Sequence, residues 1–440
     1  GVTARTRLRN PPPPPPDLTI FTPGSKMLRR LAVAVAAPLR RSLCTASSRP
    51  PWALTYRMAP LGAPSPGARP SLDLHEPPCV SQLSVPAHLA DVMDLAAVSI
   101  QAASCDGLLL LDFAGTPRGG HDHDFGDSLP EVAAFVAAYE PGVRRFVCNP
   151  VSGQVFRVPV PSMDAEKTTL PFGLLTQSDA SHGPPDRFVV AQLCLRERDG
   201  ERVVRRFLSE TGEWDEPPLF VPVAAPGWCA LPMLPRHKVV AFGDRLWWLD
   251  HYFGVFSVDP FSDRPEHGFV VLPRPLPNFD MDVHPELYSL LGVSEGKLRY
   301  VQLTTKEPFM LYSFSLDDEG SCWKLTHELR LNLVLPDKST PRSDQMPWIS
   351  AIDPFNANIL YFQDGRITGA FDMAEGGRIG RSYFPDSIKS PCYGFVPVML
   401  PAWLQSYNIP CAGTNSTKTT NCTRKTLADT LVRVDKDQRN

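Results

Sequence analysis

Residues 239–250 read VVAFGDRLWWLD, in which two short apolar runs are separated by Gly243 and Asp244. Apolar runs of this length around a Gly-Asp pair predict two antiparallel strands joined by a tight turn. The same plan returns at residues 146–158, 290–301 and 359–371, each time with a glycine in the turn. The chain is therefore expected to be a series of β-hairpins.

The composition agrees with a β-rich globular chain. Of the 440 residues, 48 are proline, and this high share disfavours long helices. Apolar residues make up 43% and charged residues 21%, close to globular averages, so a wholly disordered chain is excluded. A single helix is expected at residues 129–139, where Val132, Phe135, Val136 and Tyr139 have helical spacing.

The repeated hairpins predict an all-β fold. Units of about 40 to 50 residues with four short strands each are typical of β-propellers. The repeat is irregular, since Gly296 follows Gly243 by 53 residues and Gly365 follows Gly296 by 69. Insertions between strands explain this spacing, and so would a β-sandwich. We expect a single propeller-like domain at residues 79–400, with six blades favoured and seven as the alternative.

Four tryptophans indicate which strands are outermost in a blade and which faces of the strands are buried. Trp214 and Trp323 each follow a polar turn, so both are expected on outer strands. Trp247 and Trp248 are adjacent in one predicted strand, where successive side chains point to opposite faces. One ring is therefore expected in the core of its blade and the other is expected to point outward.

The chain ends are expected to lie outside the propeller. Residues 1–26 contain a run of prolines and no methionine, and are interpreted as a disordered leader upstream of Met27. Residues 51–78 are rich in Pro, Ala and Gly and are expected to be a linker or an irregular edge of the domain. Residues 401–440 are expected to be a disordered polar tail.

Residues 27–50 have the character of an organelle-targeting peptide. Arg29, Arg30, Arg40 and Arg41 flank an Ala/Val/Leu stretch, and the segment contains no acidic residue. The apolar run is too short to cross a bilayer, which needs about 20 residues. The pattern predicts a mitochondrial protein, with the plastid as the alternative; a merely disordered N terminus would leave the protein in the cytoplasm.

The net charge and the cysteine content limit the classes of partner and cofactor that are expected. The formal net charge of -3 provides no basic footprint, so no nucleic-acid partner is expected. The ten cysteines contain no C-x-x-C pair, which argues against zinc clusters and favours a reduced intracellular protein. The sequence predicts no cofactor and no membrane span. Two glycosylation sequons, at Asn415 and Asn421, are expected to stay unused without a signal peptide.

Six strings together resemble a known family. They are FVCNPVSGQVFRVP, FLSETGEWDE, VVAFGDRLWWLD, SVDPFSDRPE, GVSEGKLRYVQ and DDEGSCWKL, running from Phe146 to Leu325, with a weaker PPWALTYR at Pro50–Arg57. They resemble DUF 1618, a domain of unknown function expanded in grasses, over about four fifths of the chain. Its fold is similar to the propeller that follows F-box motifs in plant proteins, which share the Asn-Pro-x-Ser/Thr-Gly hairpin found at Asn149–Gly153. Residues 27–78 contain no recognisable F-box, and the resemblance implies no catalytic residues.

Three patterns in the sequence contain residue types that suit a chemical site. Residues 292–296, GVSEG, match G-x-S-x-G, but a second strand rather than a helix follows, so a hairpin turn is predicted. Residues 121–127, HDHDFGD, could suit a divalent metal but are interpreted as a solvated acidic loop. Asp280, Asp282, His284 and Glu286 could line a channel. No catalytic, cofactor-binding or metal-binding residue is assigned.

Two classes of function follow. The first is a non-catalytic protein-interaction module on a propeller scaffold, a monomer that binds an unidentified protein partner. The alternative is a hydrolase-type enzyme that works through carboxylates in the central channel.

Overall fold

The computed structural model describes residues 49–62, 67–89, 95–115, 143–161, 167–169, 171–179, 183–196, 202–220, 238–252, 254–274, 285–304, 306, 308–330, 347–385, 388 and 394–410. These residues belong to one compact unit that begins at Arg49. Helix is almost absent from them. It is limited to α1 (Pro285–Tyr288) and to single 3-10 turns such as Ala87–Leu89 and Ala402–Gln405.

Five short strands come first among the described residues. They are β1 (Trp52–Tyr56), β2 (Met58–Ala59), β3 (Leu61–Gly62), β4 (Ser71–Asp73) and β5 (Gln82–Pro86).

Five regular blades follow, each an antiparallel meander. From the centre outward, blade 1 contains β6 (Leu95–Ala103), β7 (Leu109–Gly115), β8 (Arg144–Cys148) and β9 (Val155–Val158). In blade 2 the inner strand is split into β10 (Lys167–Thr169) and β11 (Gly173–Gln177), followed by β12 (Arg187–Arg196), β13 (Arg202–Leu208) and β14 (Glu213–Asp215). Blade 3 contains β15 (Lys238–Phe242), β16 (Arg245–Asp250), β17 (Gly254–Val258) and β18 (Gly268–Val271). Blade 4 contains β19 (Ser289–Ser294), β20 (Lys297–Leu303), β21 (Met310–Leu316) and β22 (Trp323–Arg330), and blade 5 contains β23 (Trp348–Ile352), β24 (Ile359–Asp364), β25 (Ile367–Asp372) and β26 (Gly377–Tyr383).

The sixth blade joins the two ends of the chain. The last strand, β27 (Phe395–Met399), pairs antiparallel with β1, with Trp52 opposite Met399. Farther out, β1 bridges to Ser81 just before β5, and β4 forms the outer strand of this blade. The innermost strands β6, β11, β15, β19, β23 and β27 each contact the next, and β27 contacts β6, so the ring closes with six blades. The predicted six-bladed propeller is confirmed.

The propeller is longer than the predicted range 79–400. Strand β1 is fully buried and belongs to the closing blade, so of the two alternatives for residues 51–78 the structure has the edge of the domain and not a linker. At the other end, Leu404 and Ile409 are buried in the core, so the first ten residues of the expected tail also belong to the domain. The expected leader, targeting peptide, helix at 129–139 and tail beyond residue 410 lie outside the described residues.

Apolar clusters fill the interfaces between blades, because both faces of every blade pack against a neighbour. Trp248 lies in the cluster between blades 2 and 3, and Trp247 lies in the cluster between blades 3 and 4. The two rings do split as strand alternation requires, but neither points outward. Trp214 and Trp323 lie on the outermost strands β14 and β22, as predicted.

Candidate protein-interaction surface

One end of the propeller is called here the lower face. In each regular blade it holds the turn between the first and second strands and the turn between the third and fourth strands, since neighbouring strands are antiparallel. The first of these turns follows the innermost strand. It therefore lies beside the mouth of the central channel.

Every one of these five inner turns carries a carboxylate, a set called here the carboxylate ring. Short turns after buried strands favour Asp and Gly for conformational reasons, which accounts for the residue type. Its position next to the channel follows from the strand order alone. The ring consists of Asp106 in blade 1, Asp179 and Asp186 in blade 2, Asp244 in blade 3, Glu295 in blade 4 and Asp353 in blade 5.

Ring members differ in how their charge is compensated. Glu295 forms an ion pair with Arg299 at 3.2 Å, and Asp179 lies 3.6 Å from a nitrogen of Arg187. Asp106, by contrast, accepts a 2.6 Å hydrogen bond from the neutral hydroxyl of Thr176.

Among the described residues, Asp353 and Asp244 also have no cationic partner. The Asp353 carboxylate accepts hydrogen bonds from the backbone N–H groups of Phe355 (2.8 Å) and Asn356 (3.1 Å). Within the part of the chain that the structure describes, no ion pair joins Asp106, Asp244 or Asp353 to a cation. Three negative charges thus remain available on this face.

Apolar surface lies next to the ring. Phe355, two residues after Asp353, is 54% exposed although it is a large aromatic residue. Residues 401–410 cross the lower face of blades 1 and 2, where the rings of Trp403 and Tyr407 meet edge to face at 5.1 Å. The Tyr407 hydroxyl donates a 2.7 Å hydrogen bond to the carbonyl oxygen of Pro185, which belongs to the inner turn of blade 2.

The Asn-Pro-x-Ser-Gly hairpin holds this C-terminal segment in place. Asn149 is buried in the turn between β8 and β9 and hydrogen-bonds to the carbonyl oxygens of Leu404 and Tyr407. Gly153 ends the turn with φ +68, and a Cβ there would come within 2.6 Å of the carbonyl oxygen of Pro70. The sequence identified the hairpin, but it gave no sign of its partner 255 residues away.

The G-x-S-x-G match is a hairpin turn, as predicted. Glu295 and Gly296 both have positive φ values, 51 and 68, which is the two-residue turn that suits a hairpin twist. Ser294 is fully buried, and its hydroxyl donates a hydrogen bond to the carbonyl oxygen of Asp353. This serine therefore links blade 4 to blade 5.

The other two patterns cannot be placed. Residues 121–127 and Asp280, Asp282 and His284 lie outside the described residues, and so does the side chain of Glu286 in α1. The innermost strands β6, β11, β15, β19, β23 and β27 contain no Asp or Glu. Over the described ranges, no cluster of three or more His, Cys, Asp or Glu residues could hold a metal ion.

Sequence reasoning missed one buried polar pair. His251, just after β16, has its Nδ1 atom 2.6 Å from the Ser289 hydroxyl at the start of β19. Both side chains are buried, and the pair joins blade 3 to blade 4. The residues are 38 positions apart in unrelated sequence contexts, so no local pattern marks them.

Burial also changes the pKa of a tyrosine in blade 4. It raises the pKa of the Tyr300 phenol, in β20, well above its ordinary value, so this hydroxyl keeps its proton.

No helix in the described parts of the chain has the length and apolar character needed to cross a membrane.

Comparison with solved structures gives distant similarities. The chain is similar to the SapL1 lectin bound to alpha methyl fucoside (11% identity, TM-score 0.36, 76% of this chain and 98% of the lectin). It is also similar to the propeller domain of Myceliophteria thermophila Cps50 (Swd1), with 9% identity, TM-score 0.31, and 66% and 74% coverage. A prolyl endopeptidase matches with 12% identity and TM-score 0.29 over 64% of this chain, but over only 33% of its own length.

Comparison with models of sequence families gives a match over more than half of the chain. No curated protein matches the chain. The family model described as F-box protein At3g26010-like, beta-propeller, matches residues 133–367, more than half of the 440 residues and most of the five regular blades. The chain belongs to this family of F-box protein At3g26010-like β-propellers.

Proposed function

We propose that the chain is a non-catalytic protein-interaction module that presents its lower face to a partner with a basic surface. The observation that carries the proposal is the carboxylate ring, in which Asp106, Asp244 and Asp353 have no cation partner among the described residues. We further propose that the module acts as a monomer, which light scattering of the purified protein would test.

The physical argument is electrostatic complementarity. Like charges held around one opening create a negative potential that attracts a basic partner and speeds its association. Phe355, exposed beside Asp353, adds an apolar contact that a protein partner can cover.

The test compares two triple variants with equal charge change. The ring variant is Asp106→Asn, Asp244→Asn and Asp353→Asn, in which asparagine can still accept the turn hydrogen bonds. The matched control, Glu213→Gln, Glu319→Gln and Glu375→Gln, neutralises three exposed carboxylates at or beside the outer turns of the same face, away from the channel mouth, so it separates the ring from the rest of that face. Proteins captured by the wild type are identified by mass spectrometry, and each is then titrated in purified form.

A purified partner that binds the wild type and the control, but binds the ring variant much more weakly, supports the proposal. This partner should also lose affinity as salt is raised, because exposed charges are screened. Equal binding of one partner by all three proteins would contradict it. So would the failure of every captured protein to bind in purified form.

We also propose that the chain falls within DUF 1618. The strings that carry this resemblance correspond to strand and turn units of the propeller, including the β8–β9, β15–β16 and β19–β20 hairpins. Aligning DUF 1618 sequences to the chain tests the assignment. Length differences should fall in the connections between strands, and length differences inside these hairpins would contradict it.

We propose, finally, that the protein is mitochondrial and that residues 27–50 direct its import. Strand β1 begins at Trp52, so removal of this segment would leave every strand of the propeller intact. Import followed by cleavage is therefore compatible with folding of the same domain.

A further inference from the structure

The outermost strands of the six blades differ in length. Four of them are short: β4 and β14 have three residues each, and β9 and β18 have four. The outermost strands of blades 4 and 5 are longer, with eight residues in β22 and seven in β26. A long outermost strand leaves a row of backbone N–H and C=O groups on its open edge, and these can pair with a further strand.

Strand β26 has such an open edge. It pairs with β25 on one side, and no strand among the described residues pairs with its other side. Just after the strand, the N–H of Phe384 donates a 3.0 Å hydrogen bond to the carbonyl oxygen of Arg366. Because hydrogen-bonded and non-hydrogen-bonded pairs alternate along antiparallel strands, Tyr383 and Arg381 turn their N–H and C=O groups away from β25. These backbone groups face the open edge.

The side chains along this edge are exposed to solvent. Ile379 is 60% exposed and Tyr383 is 67% exposed, although both are large apolar or aromatic residues. Arg378 and Arg381 are exposed as well. The edge is therefore open both at its backbone and at its side chains.

The two faces of β26 have different surroundings. Gly380 faces the closing blade, where a Cβ on this residue would lie 3.4 Å from Pro78. Since side chains alternate between the faces of a strand, Arg381 and Tyr383 lie on the opposite face, toward blade 4. Their exposure shows that blade 4 does not cover this face. A strand added to the edge would meet an arginine and a tyrosine side by side on it.

The charge of β26 has one sign. Its only charged residues are Arg378 and Arg381. The Arg381 guanidinium makes no hydrogen bond or ion pair with another described residue. Strand β22, by contrast, contains the mixed charges of Lys324, Glu328 and Arg330, which offset one another. Charge can therefore select a partner strand at β26 but not at β22.

The same charges argue against a second copy of the chain as the occupant. Antiparallel pairing of β26 with another β26 would bring arginines against arginines, and like charges on neighbouring strands are destabilising. A strand that carries Asp or Glu would instead gain from opposite-charge pairs.

We propose that the open edge of β26 binds an extended acidic segment of a partner protein, which adds a fifth strand to blade 5. The backbone groups of Arg381 and Tyr383 supply the pairing hydrogen bonds. A carboxylate opposite Arg381 and an apolar side chain opposite Tyr383 select the segment. This edge is on the outside of the propeller, away from the channel mouth, so the inference does not depend on the proposed function.

The probe is a fluorescein-labelled peptide with blocked ends and the sequence Thr-Val-Thr-Glu-Thr-Glu-Thr. Paired antiparallel with β26, it places valine opposite Tyr383 and a glutamate opposite Arg381. A second peptide carries N-methyl groups on valine and on both glutamates, so it keeps every side chain but cannot donate these backbone hydrogen bonds. A third has lysine in place of glutamate. Each is titrated with the full-length protein at constant ionic strength, and binding is read from fluorescence anisotropy.

The variant tested is the double substitution Arg378→Gln and Arg381→Gln. The matched control is Lys324→Gln and Arg330→Gln, which removes the same charge from the other long outermost strand. All four side chains are exposed, so both variants should keep the wild-type unfolding midpoint.

The wild type and the β22 control should bind the glutamate peptide saturably. The β26 variant should bind it at least about threefold more weakly, because two cross-strand charge pairs are lost. The wild type should bind the N-methylated and lysine peptides at least about tenfold more weakly than the glutamate peptide.

Three results would overturn the proposal: no saturable binding by the wild type, equal binding by the two double variants, or binding that N-methylation leaves unchanged. The N-methylated peptide tests the backbone pairing on the wild type itself, so this test does not depend on any variant. A wild-type dimer in light scattering that Tyr383→Pro converts to a monomer would identify a second copy as the occupant, because proline removes an N–H from the open edge. That result would also overturn the proposal.

Discussion

The side chain of Asn149 donates a 2.7 Å hydrogen bond to the carbonyl oxygen of Leu404, 255 residues later in the chain. The same amide donates to the carbonyl oxygen of Tyr407 at 3.3 Å, while its Oδ1 atom accepts from the N–H groups of Val151 and Ser152. One buried residue thus shapes the hairpin of blade 1 and attaches the segment that follows the closing strand.

Replacing Asn149 with Ala should lower the free energy of unfolding by about 2–3 kcal/mol, because buried carbonyl and N–H groups lose their partners. Urea unfolding measures the loss. Ser152→Ala is the control within the same motif, since its hydroxyl makes one 3.4 Å contact with the N–H of Gln154, and it should cost less than about 1 kcal/mol. Equal losses for the two variants would show that Asn149 does not fasten the segment.

Closure of the ring by β27 gives a second prediction. Truncation after Pro391 removes β27 and leaves β1 and the inner edge of blade 6 without a partner, so the protein should aggregate. Truncation after Pro410 keeps every described residue and should stay monomeric. Size-exclusion chromatography distinguishes the two. A monomeric protein truncated after Pro391, with an unchanged melting curve, would contradict closure at this strand.

Much of this fold could be predicted because its units are local. The hairpins at 146–158, 239–249, 290–301 and 359–371 are all present, as each depends on neighbouring residues and a turn. Their irregular spacing also has a simple cause. Gly243 and Gly296 lie in the inner turns of successive blades, but Gly365 lies in the next turn outward, between β24 and β25.

What could not be predicted depends on contacts between distant residues. The pairing of Trp52 with Met399 leaves no local trace, so the sequence does not distinguish a linker from an irregular edge of the domain at residues 51–78. The carboxylate ring was missed for a related reason. An acidic residue in a turn has no local feature that marks its place in the ring, and only the strand order shows that these turns surround one opening.

The outer tryptophans allow a graded test of packing. Trp214 is half-buried, lies 5.7 Å from the Phe207 ring, and donates from Nε1 to the carbonyl oxygen of Pro159 at 2.8 Å. Trp323 is also half-buried and lies 6.0 Å from the Tyr300 ring. Full burial of a tryptophan would imply a loss of 3–5 kcal/mol on replacement by Ala, so about 2–3 kcal/mol is expected for each half-buried ring.

Trp214→Phe isolates the hydrogen bond, because most of the aromatic contact remains. It should cost about 1 kcal/mol in urea unfolding. Losses below about 1 kcal/mol for both alanine variants would show that these rings do not support the outer strands.

His267 predicts a pH dependence of stability. It is stacked near the Phe269 ring, and burial, together with the positive charges of Arg202 and Arg245, lowers its pKa to about 4. An unfolded histidine has a pKa of about 6.5, so the unfolded state binds the extra proton between these values. Stability should therefore fall as the pH is lowered from about 6.5 to about 4, by roughly 3 kcal/mol in total from this residue.

His267→Phe keeps an aromatic ring against Phe256 and Phe269 but cannot bind a proton. Urea unfolding of wild type and variant at about pH 7.5 and about pH 4.5 separates this contribution from that of other groups. The wild type should lose more stability on acidification than the variant. Equal losses would show that His267 titrates normally in the folded protein.

The localisation proposal leads to the last prediction. A positively charged, apolar helix is drawn across the inner mitochondrial membrane by the potential, which contributes about 2.3 kcal/mol per charge per 100 mV. Residues 27–50 supply four such charges, Arg29, Arg30, Arg40 and Arg41. Fused to a fluorescent reporter, this segment should direct it to mitochondria, and changing the four arginines to glutamate should leave the reporter in the cytosol. Changing Ser42, Thr45, Ser47 and Ser48 to alanine keeps every charge and should preserve import. Plastid fluorescence would move the assignment to the alternative organelle, and diffuse fluorescence from the unmutated fusion would reject organelle targeting by this segment.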